Sequence, residues 1–369
     1  SEDKNLSQRS HSDNVMTWEI AKSAIDFLYA HSIEADDISI GFYGGEPLLA
    51  FPLIKKIVAY ADEIFAGKDR IYSITTNGTL ISDEVAHYLN EHKFRVAFSI
   101  DGPKEAQNKN RIFRDGSGTY DIVVKNIEKL YRCASSLNAS EYFSINSVIS
   151  PDQEYTELKE MFSNPIIDRL TFQSTFIEED DHIIQPSAKF LEDFDYDVFL
   201  ECYKHFRHLD NSSNSKHALQ EIDSLISDLR RFSDTSVAPV SAPSGPCIPG
   251  KLRLFVNCFG DMYPCERVNE SEAMKIGSIG EGINLKKVVE LLNVGQLSEG
   301  KCKKCFAFSL CGLCAKYADY GDRLDGAKKK TACEQTRKSA YVTIRNKILN
   351  YENYRHVQDL YRTPSDGCK

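Results

Sequence analysis

The sequence predicts an α/β fold on a parallel sheet, followed by a small cysteine-rich region. Two observations indicate this. Short apolar, β-branched runs alternate with helical patterns through the first half of the 369 residues, an alternation typical of βαβ units. Eight of the eleven cysteines fall between positions 247 and 333, and clustered cysteines indicate metal or redox chemistry.

The predicted elements of the first half follow in order. A polar start leads into a helix, "TWEIAKSAIDFLYA". Five strands follow: "ISIGFYG" (core 39–44), "RIYSITTN", "RVAFSID", "EYFSINSVI" and "LTFQSTFI". The intervening helices are expected at 51–66, 83–92, 119–135 and 154–162. Because loops after the carboxyl ends of parallel strands hold ligands in α/β folds, the loops "YGGEP", "TTNG" and "SIDG" predict a site at one sheet edge.

The second half changes character. Two amphipathic helices are predicted at 189–209 and 217–232, and "APVSAPSGP" at 238–246 is a predicted linker. A β-hairpin with its turn at 259–261 and a helical tail over 334–361 follow. The predicted domains are a sheet domain (1–179), a helical bridge (180–240), a cysteine-rich domain (241–340) and a tail (341–369).

Charge and hydropathy exclude several classes of function. A net charge of −9 and a pI near 5.6 argue against nucleic acid as a partner. The basic runs at 301–304 and 327–332 are short and are predicted to be solvated surface. Neither a membrane-length apolar run nor a signal peptide is visible. The sequence therefore predicts a cytoplasmic protein with no membrane partner.

The run "KCKKCFAFSLCGLC" supplies four thiols with the spacing C-x2-C-x5-C-x2-C. Four thiolates complete one tetrahedral zinc site or one [4Fe–4S] cluster, and eight cysteines are enough for two centres. Histidine is absent between positions 247 and 333, which weakly favours all-thiolate centres of either metal. The isolated Cys133 and Cys202 are predicted to be core residues.

The cysteine pattern resembles the SPASM domain of radical SAM enzymes, which holds two auxiliary [4Fe–4S] clusters. One departure is the two residues, rather than three, between the last pair. The resemblance implies a distal cluster on Cys302, Cys305, Cys311 and Cys333, and a nearer cluster on Cys247, Cys265 and Cys314. Cys258 is a candidate fourth ligand of the nearer cluster. If Cys258 does not ligate, one iron is open to a substrate thiolate.

The first half resembles the same family. "GFYGGEPLL", "TTNGTLI", "FSIDGP" and "NRIFRDGSGTYDIVVKNI" occur in the order and spacing of the radical SAM fold. The resemblance implies a partial (βα)6 barrel that lacks its first strand. It also implies a SAM site, in which Glu46 binds the amino group, Ser99 the ribose and Arg111 the carboxylate. The implied cofactor-binding residues are Gly44, Gly45, Glu46, Pro47, Asn77, Ser99, Asp101 and Arg111.

The motif C-x3-C-x2-C, which holds the SAM-cleaving cluster in that family, does not occur in these residues. In the family it follows the first strand, a position just upstream of Ser1. The resemblance therefore implies SAM and a third [4Fe–4S] cluster only together with a segment that precedes this sequence. The alternative is a protein that has lost the SAM-cleaving chemistry; the retained SAM-facing loops favour the first explanation.

By resemblance, the protein is a radical SAM/SPASM maturase that modifies a ribosomal precursor peptide, most similar to enzymes that form Cys thioether crosslinks. Its implied partners are the precursor peptide and a reductant such as flavodoxin or ferredoxin. Glu266 occupies the position of a catalytic base in sulfatase-maturating relatives. Three alternatives stay open: formylglycine formation on a sulfatase, a zinc-bound scaffold without catalysis, and a ferredoxin-like electron carrier. The residue and peptide modified are not visible in the sequence.

Overall fold

The computed structural model describes residues 14–134, 139–179, 182–207 and 247–361. The chain divides into two compact units. The first unit comprises Ser1–Ser187 and Ile248–Leu291, and the second comprises Ala188–Cys247 and Leu292–Lys369. The helix predicted at 217–232 and the linker predicted at 238–246 lie outside the described residues. The predicted domain boundaries stay a prediction.

A parallel five-stranded sheet forms the centre of the first unit, which confirms the predicted fold class. Its strands are adjacent in chain order, without a crossover past a neighbour. Within the described residues the sheet is open, with β1 and β5 at its edges. The strands are β1 (Asp37–Phe42), β2 (Asp69–Thr76), β3 (Arg95–Ser99), β4 (Phe143–Ile149) and β5 (Thr171–Phe176).

Helices connect these strands. Thr17 and Ser82 cap the first and third helices by accepting backbone N–H bonds through their hydroxyl groups, as N-cap residues do. The helix at Lys104–Asn110 was not predicted, since its sequence "KEAQNKN" has no apolar periodicity. The helices are α1 (Trp18–His31), α2 (Phe51–Ile64), α3 (Asp83–Glu91), α4 (Lys104–Asn110), α5 (Tyr120–Cys133), α6 (Ala139–Tyr142) and α7 (Tyr155–Met161).

The core of the first unit lies against one face of the sheet. Alternate strand residues such as Val96, Phe98 and Ile145 are fully buried. The helices contribute a matching apolar stripe of buried residues, which includes Val58, Ala61, Val85, Leu89, Val123, Ile127 and Leu130. Side chains on the other sheet face are half-buried or exposed, and many are small or polar. The sheet therefore has one packed face and one open face.

The remaining elements are shorter. A ribbon of β6 (Glu178–Glu179) and β7 (His182–Ile183) follows the sheet. The predicted hairpin is present as β8 (Phe255–Val256) and β9 (Asp261–Tyr263), extended by β10 (Gly277–Ser278) and β11 (Gly282–Ile283). The other helices are α8 (Ala188–Arg207), α9 (Leu285–Leu292), α10 (Glu299–Cys302), α11 (Gly326–Thr331) and α12 (Cys333–Tyr361). No helix of the described ranges is both long and apolar enough to cross a bilayer.

Phe98 tests the packed face of the sheet. It has no exposed surface in the central strand β3, so Phe98→Ala leaves a cavity and should lower the free energy of unfolding by about 3–5 kcal/mol. The measurement is the urea midpoint followed by circular dichroism. Ile33→Ala, at a side chain that is 78% exposed, is the matched control and should change the midpoint little. Equal midpoints for the two variants would contradict the packing described here.

Candidate active site and cysteine cluster

The candidate active site lies where the strands of the sheet end. Parallel strands bring their carboxyl ends to one edge, so the loops after β1, β2 and β3 are neighbours. These loops carry the predicted residues Glu46, Asn77 and Asp101. The structure thus brings together the loops that the sequence singled out.

Glu46 ties the first two loops together. Its Oε1 accepts hydrogen bonds from Thr76 Oγ1 at 2.8 Å and from the backbone N–H of Leu48 at 3.1 Å. Its Oε2 accepts from the backbone N–H of Asn77 at 2.7 Å. The Asn77 side chain closes its own turn by accepting from the N–H of Thr79. The carboxylate predicted to face a SAM amino group therefore also fixes the shape of the edge.

The glycine pair before Glu46 is not explained by packing. A Cβ at Gly44 or at Gly45 would meet no atom within 4 Å. Gly44 has a φ of +154°, which side chains rarely adopt, whereas Gly45 has no such restraint. Pro47 follows and begins a short 3₁₀ turn at Pro47–Ala50. The open backbone of the pair is what close approach by a ligand requires.

Asp101 holds Arg111 in a bidentate ion pair. Arg111 Nε donates to Oδ2 at 2.6 Å, and Nη2 donates to Oδ1 at 3.0 Å. The N–H of Val148 also donates to Oδ1, at 3.1 Å, so the carboxylate is fixed to the strand β4. The Asp101 side chain is 12% exposed and that of Arg111 is 31% exposed. The remaining guanidinium N–H groups have no partner among the described residues and can bind an anion.

A row of polar side chains crosses the open face beneath these loops. Ser99, Asn146 and Gln173 occupy one register position on three neighbouring strands. Ser99 is half-buried, and the two amides are exposed. Ser99 was predicted from the sequence, but Asn146 and Gln173 were missed. The available signal was their alternation with the buried Ile145 and Phe172.

The hairpin separates Cys258 from Cys265. Cys258 lies in the turn, where Asn257 Oδ1 accepts from the N–H groups of Phe259 and Asp261. Cys265 lies beyond the paired residues of β9, at the open end of the hairpin. Burial, reinforced by the Glu270 carboxylate, raises the pKa of the Cys258 thiol. These placements favour the alternative in which Cys258 does not ligate the cluster of Cys265.

Glu266, the predicted base, lies at the same open end. Arg253 Nη1 donates to its Oε1 at 2.9 Å, and the side chain is 30% exposed. The ion pair with Arg253 holds this carboxylate at the open end of the hairpin. Its role as a base stays a prediction.

Two cysteines of the second unit, Cys302 and Cys333, lie near one lysine. Cys302 Sγ lies 3.3 Å from Ser298 Oγ, which in turn accepts from Lys329 Nζ at 3.1 Å. Cys333 Sγ lies 3.9 Å from the carbonyl of Lys329. Burial raises the pKa of the Cys311 thiol, Lys329 lowers it, and both Cys302 and Cys333 raise it. Burial has the largest effect, so the pKa of the Cys311 thiol lies above its usual value.

The basic run at 327–332 is not the solvated surface that the sequence predicted. Lys329 is 1% exposed, because its helix α11 packs on the 3₁₀ segment Val294–Ser298. That prediction was wrong for this residue. The spacing of charges along a six-residue helix gave no sign that one of its three lysines points inward.

The described residues contain no group of three or more His, Cys, Asp or Glu side chains that could hold a single metal ion. In a [4Fe–4S] cluster each thiolate binds its own iron, so the sulfur atoms are spread around a larger body. Cys302, Cys311 and Cys333 supply thiolates, which are the ligands that such a cluster requires. Cys305 is close to Cys302, since its backbone N–H donates to the carbonyl of Cys302. Cys247 and Cys314 belong to the second unit and Cys265 to the first, so their grouping stays a prediction.

Comparison with known proteins identifies the first part of the chain. Residues 15–163 match the family model of the Radical SAM superfamily. Residues 15–163 are a radical SAM domain. This family is one of enzymes, and its match spans the loops of Glu46, Asn77, Asp101 and Arg111 described above.

Relatives match further along the chain. A cysteine-type anaerobic sulfatase-maturating enzyme of Clostridium perfringens is 26% identical over 327 residues, which are 85% of this chain and 83% of that protein. A radical SAM cyclopropyl synthase of Paramaledivibacter caminithermalis is 28% identical over 202 residues, 53% of this chain and 39% of that protein. The chain thus spans less than half of the synthase and most of the maturase.

The fold is also found in solved structures. The structure of native anSMEcpe with bound AdoMet aligns with a TM-score of 0.65 and 21% identity, over 96% of this chain and 93% of that one. The structure of anSMEcpe with AdoMet and the Kp18Cys peptide aligns with a TM-score of 0.61 and 22% identity, over 91% and 96% of the two chains. At these identities the likeness shows a shared fold.

Glu46 provides a test of the radical SAM site. In Glu46→Gln an amide nitrogen replaces one acceptor, so at least one of three hydrogen bonds is lost. An unsatisfied buried group costs about 1–3 kcal/mol. Since Glu46 fixes the loops at the sheet edge, we expect the affinity for SAM to fall roughly tenfold. Equilibrium dialysis with labelled SAM measures the affinity. The exposed Glu34→Gln is the control, and equal affinity in both variants would contradict the role given to Glu46.

Asp101 provides a second test, directed at Arg111. Asp101→Asn turns an N–H group towards the guanidinium and breaks the bidentate pair, so Arg111 loses its fixed orientation. SAM affinity should fall roughly tenfold, and methionine, which shares the carboxylate, should bind more weakly in the same proportion. Asp121→Asn, at an exposed carboxylate, is the control. Unchanged affinity for both ligands in Asp101→Asn would exclude the positioning role.

Proposed function

We propose that the protein is a radical SAM/SPASM peptide maturase, which modifies a ribosomal precursor peptide and forms Cys thioether crosslinks. The observation that carries the proposal is the combination of a radical SAM domain with a downstream group of eight cysteines. Neither an electron carrier nor a zinc-bound scaffold requires the loops that bind SAM in this family.

Within the proposal, the sheet edge binds SAM. Gly44 and Gly45 give the methionyl group access to backbone, Glu46 accepts bonds from its ammonium, and Arg111 binds its carboxylate. The polar row of Ser99, Asn146 and Gln173 offers hydroxyl and amide groups to the ribose and to the peptide. SAM and the cluster beside it supply a 5′-deoxyadenosyl radical when bound, and that radical removes a hydrogen atom from the substrate.

The SAM-cleaving cluster needs the motif C-x3-C-x2-C, which is absent from these 369 residues. We therefore assign SAM binding and two auxiliary [4Fe–4S] centres to this chain, and radical formation to a protein in which that motif is also present. The distal centre comprises Cys302, Cys305, Cys311 and Cys333, and the nearer one comprises Cys247, Cys265 and Cys314.

Thioether formation is supported by the position of Cys258. If it lies apart from Cys265, three protein thiolates bind the nearer cluster and one iron remains for the thiolate of a substrate cysteine. The crosslink joins this sulfur to a substrate carbon and removes two hydrogen atoms. One leaves as the hydrogen atom taken by the radical. The other would leave as the thiol proton, and its electron would pass to an auxiliary centre, when one is bound, and on to a carrier such as flavodoxin or ferredoxin.

Formylglycine formation is the second candidate, favoured by the match to the sulfatase-maturating enzyme over 83% of its length. That reaction oxidises a single cysteine to an aldehyde and releases its sulfur. Glu266 would take a proton in either reaction. We assign both reactions to the cytoplasm, since clustered cysteines that bind metal are typical of a reducing compartment.

A peptide assay distinguishes the two reactions. Protein that also carries the C-x3-C-x2-C motif is reconstituted anaerobically and given SAM, dithionite and either a cysteine-rich peptide or a sulfatase peptide. We expect a loss of two hydrogen atoms from the cysteine-rich peptide by mass spectrometry. Replacement of sulfur by oxygen together with the loss of two hydrogen atoms in the sulfatase peptide, with the other peptide unchanged, would establish the second candidate instead.

Metal content is the control. The 369-residue chain should be brown and contain about eight iron and about eight sulfide per chain. A colourless chain that holds zinc and no iron would defeat the enzyme proposal. With both clusters retained, Glu266→Gln should lower the yield of modified peptide, and an unchanged yield would remove Glu266 as a base.

A further inference from the structure

The second unit contains a buried lysine without a carboxylate partner. Lys329 is 1% exposed, and its ammonium group donates to the hydroxyl group of Ser298. No Asp or Glu of the described residues forms an ion pair with it. Burial of an ammonium group without a counter-charge is unfavourable, so a negative charge is expected nearby.

The chain brings this lysine inward by close helix packing. A Cβ at Gly326 would lie 2.5 Å from the carbonyl oxygen of Leu297, so only glycine permits this approach of α11. Asp325 caps the helix by accepting from the N–H of Lys328 at 2.6 Å. Lys329 follows Gly326 by about one helical turn, and its ammonium group reaches the hydroxyl group of Ser298. The burial is therefore a built feature of the unit.

Two thiols lie close to Lys329. The Ser298 hydroxyl group that accepts from its ammonium group also lies 3.3 Å from Cys302 Sγ. Cys333 Sγ lies 3.9 Å from the backbone carbonyl of Lys329. Neutral thiols cannot balance a cation. Thiolates that bind iron can, and both cysteines belong to the distal centre of the proposed function.

A [4Fe–4S] cluster with four thiolates has a net negative charge, which increases by one when the cluster is reduced. A fixed cation beside it, shielded from water, stabilises the reduced form more than the oxidised form and raises the reduction potential. We propose that Lys329 is the buried counter-charge of the distal centre and raises the reduction potential of its cluster. The inference rests on the proposed function, because it requires iron at this centre.

The experiment is a redox titration of the reconstituted 369-residue chain, followed by electron paramagnetic resonance. Cys333→Ala, which removes a distal ligand, identifies the signal of that centre. Lys329→Met and Lys329→Gln both remove the charge, and the glutamine amide can still bond to Ser298. In both variants we expect the equilibrium between the reduced and the oxidised distal cluster to shift at least tenfold towards the oxidised form. This corresponds to a reduction potential that is lower by about 59 mV for a one-electron couple. Lys329→Arg should restore most of the shift.

The matched control is Lys303→Met. Lys303 is adjacent to Cys302 in sequence, but its side chain is 69% exposed and is paired with Glu299. Water screens its charge, so its removal should leave the distal potential within error. An equal shift in Lys303→Met would show that burial has no part in the effect.

The outcomes separate this inference from the proposed function. Full iron in both neutral variants with unchanged potentials overturns the inference alone. Loss of about four iron in the neutral variants, with retention in Lys329→Arg, supports it, because the charge is then needed to hold the cluster. Equal iron loss in all three variants, or failure of all three to fold by circular dichroism, assigns Lys329 to packing and overturns it. A wild-type chain without iron defeats the proposed function and the inference together.

Discussion

The connection rule of parallel strands determines where this protein can place a ligand. The strands of the sheet are neighbours in chain order, and right-handed crossovers then place every connecting helix on the same side. One face is therefore packed and the other is left without helices. The open face can retain Ser99, Asn146 and Gln173, since no apolar layer has to bury them.

The loops at the edge of that sheet are held by carboxylates that serve two purposes. Glu46 connects the first loop to the second, and Asp101 connects the third loop to Arg111 and to the backbone of β4. Each carboxylate accepts bonds from the protein before any ligand arrives. The site is thus largely preorganised, which reduces the entropy lost on binding.

Much of this architecture was predictable from local pattern. The five strands follow from β-branched runs with period-two burial, and the loops from glycine and polar residues at strand ends. The helix α4 was missed because all of its residues are polar or alanine. Lys329 was misassigned to the surface because its burial depends on the contact of Gly326 with a distant segment. The separation of Cys258 from Cys265 likewise needs the hairpin register.

The open face of the sheet has a consequence for evolution. Substitutions at exposed positions such as Asn146 and Gln173 remove little buried apolar area, so they cost little folding free energy. The packed face, with Phe98 and Ile145 fully enclosed, has no such tolerance. Selection can therefore exchange the residues that meet a substrate while the scaffold stays the same. A lineage with this architecture can diversify its chemistry faster than its fold.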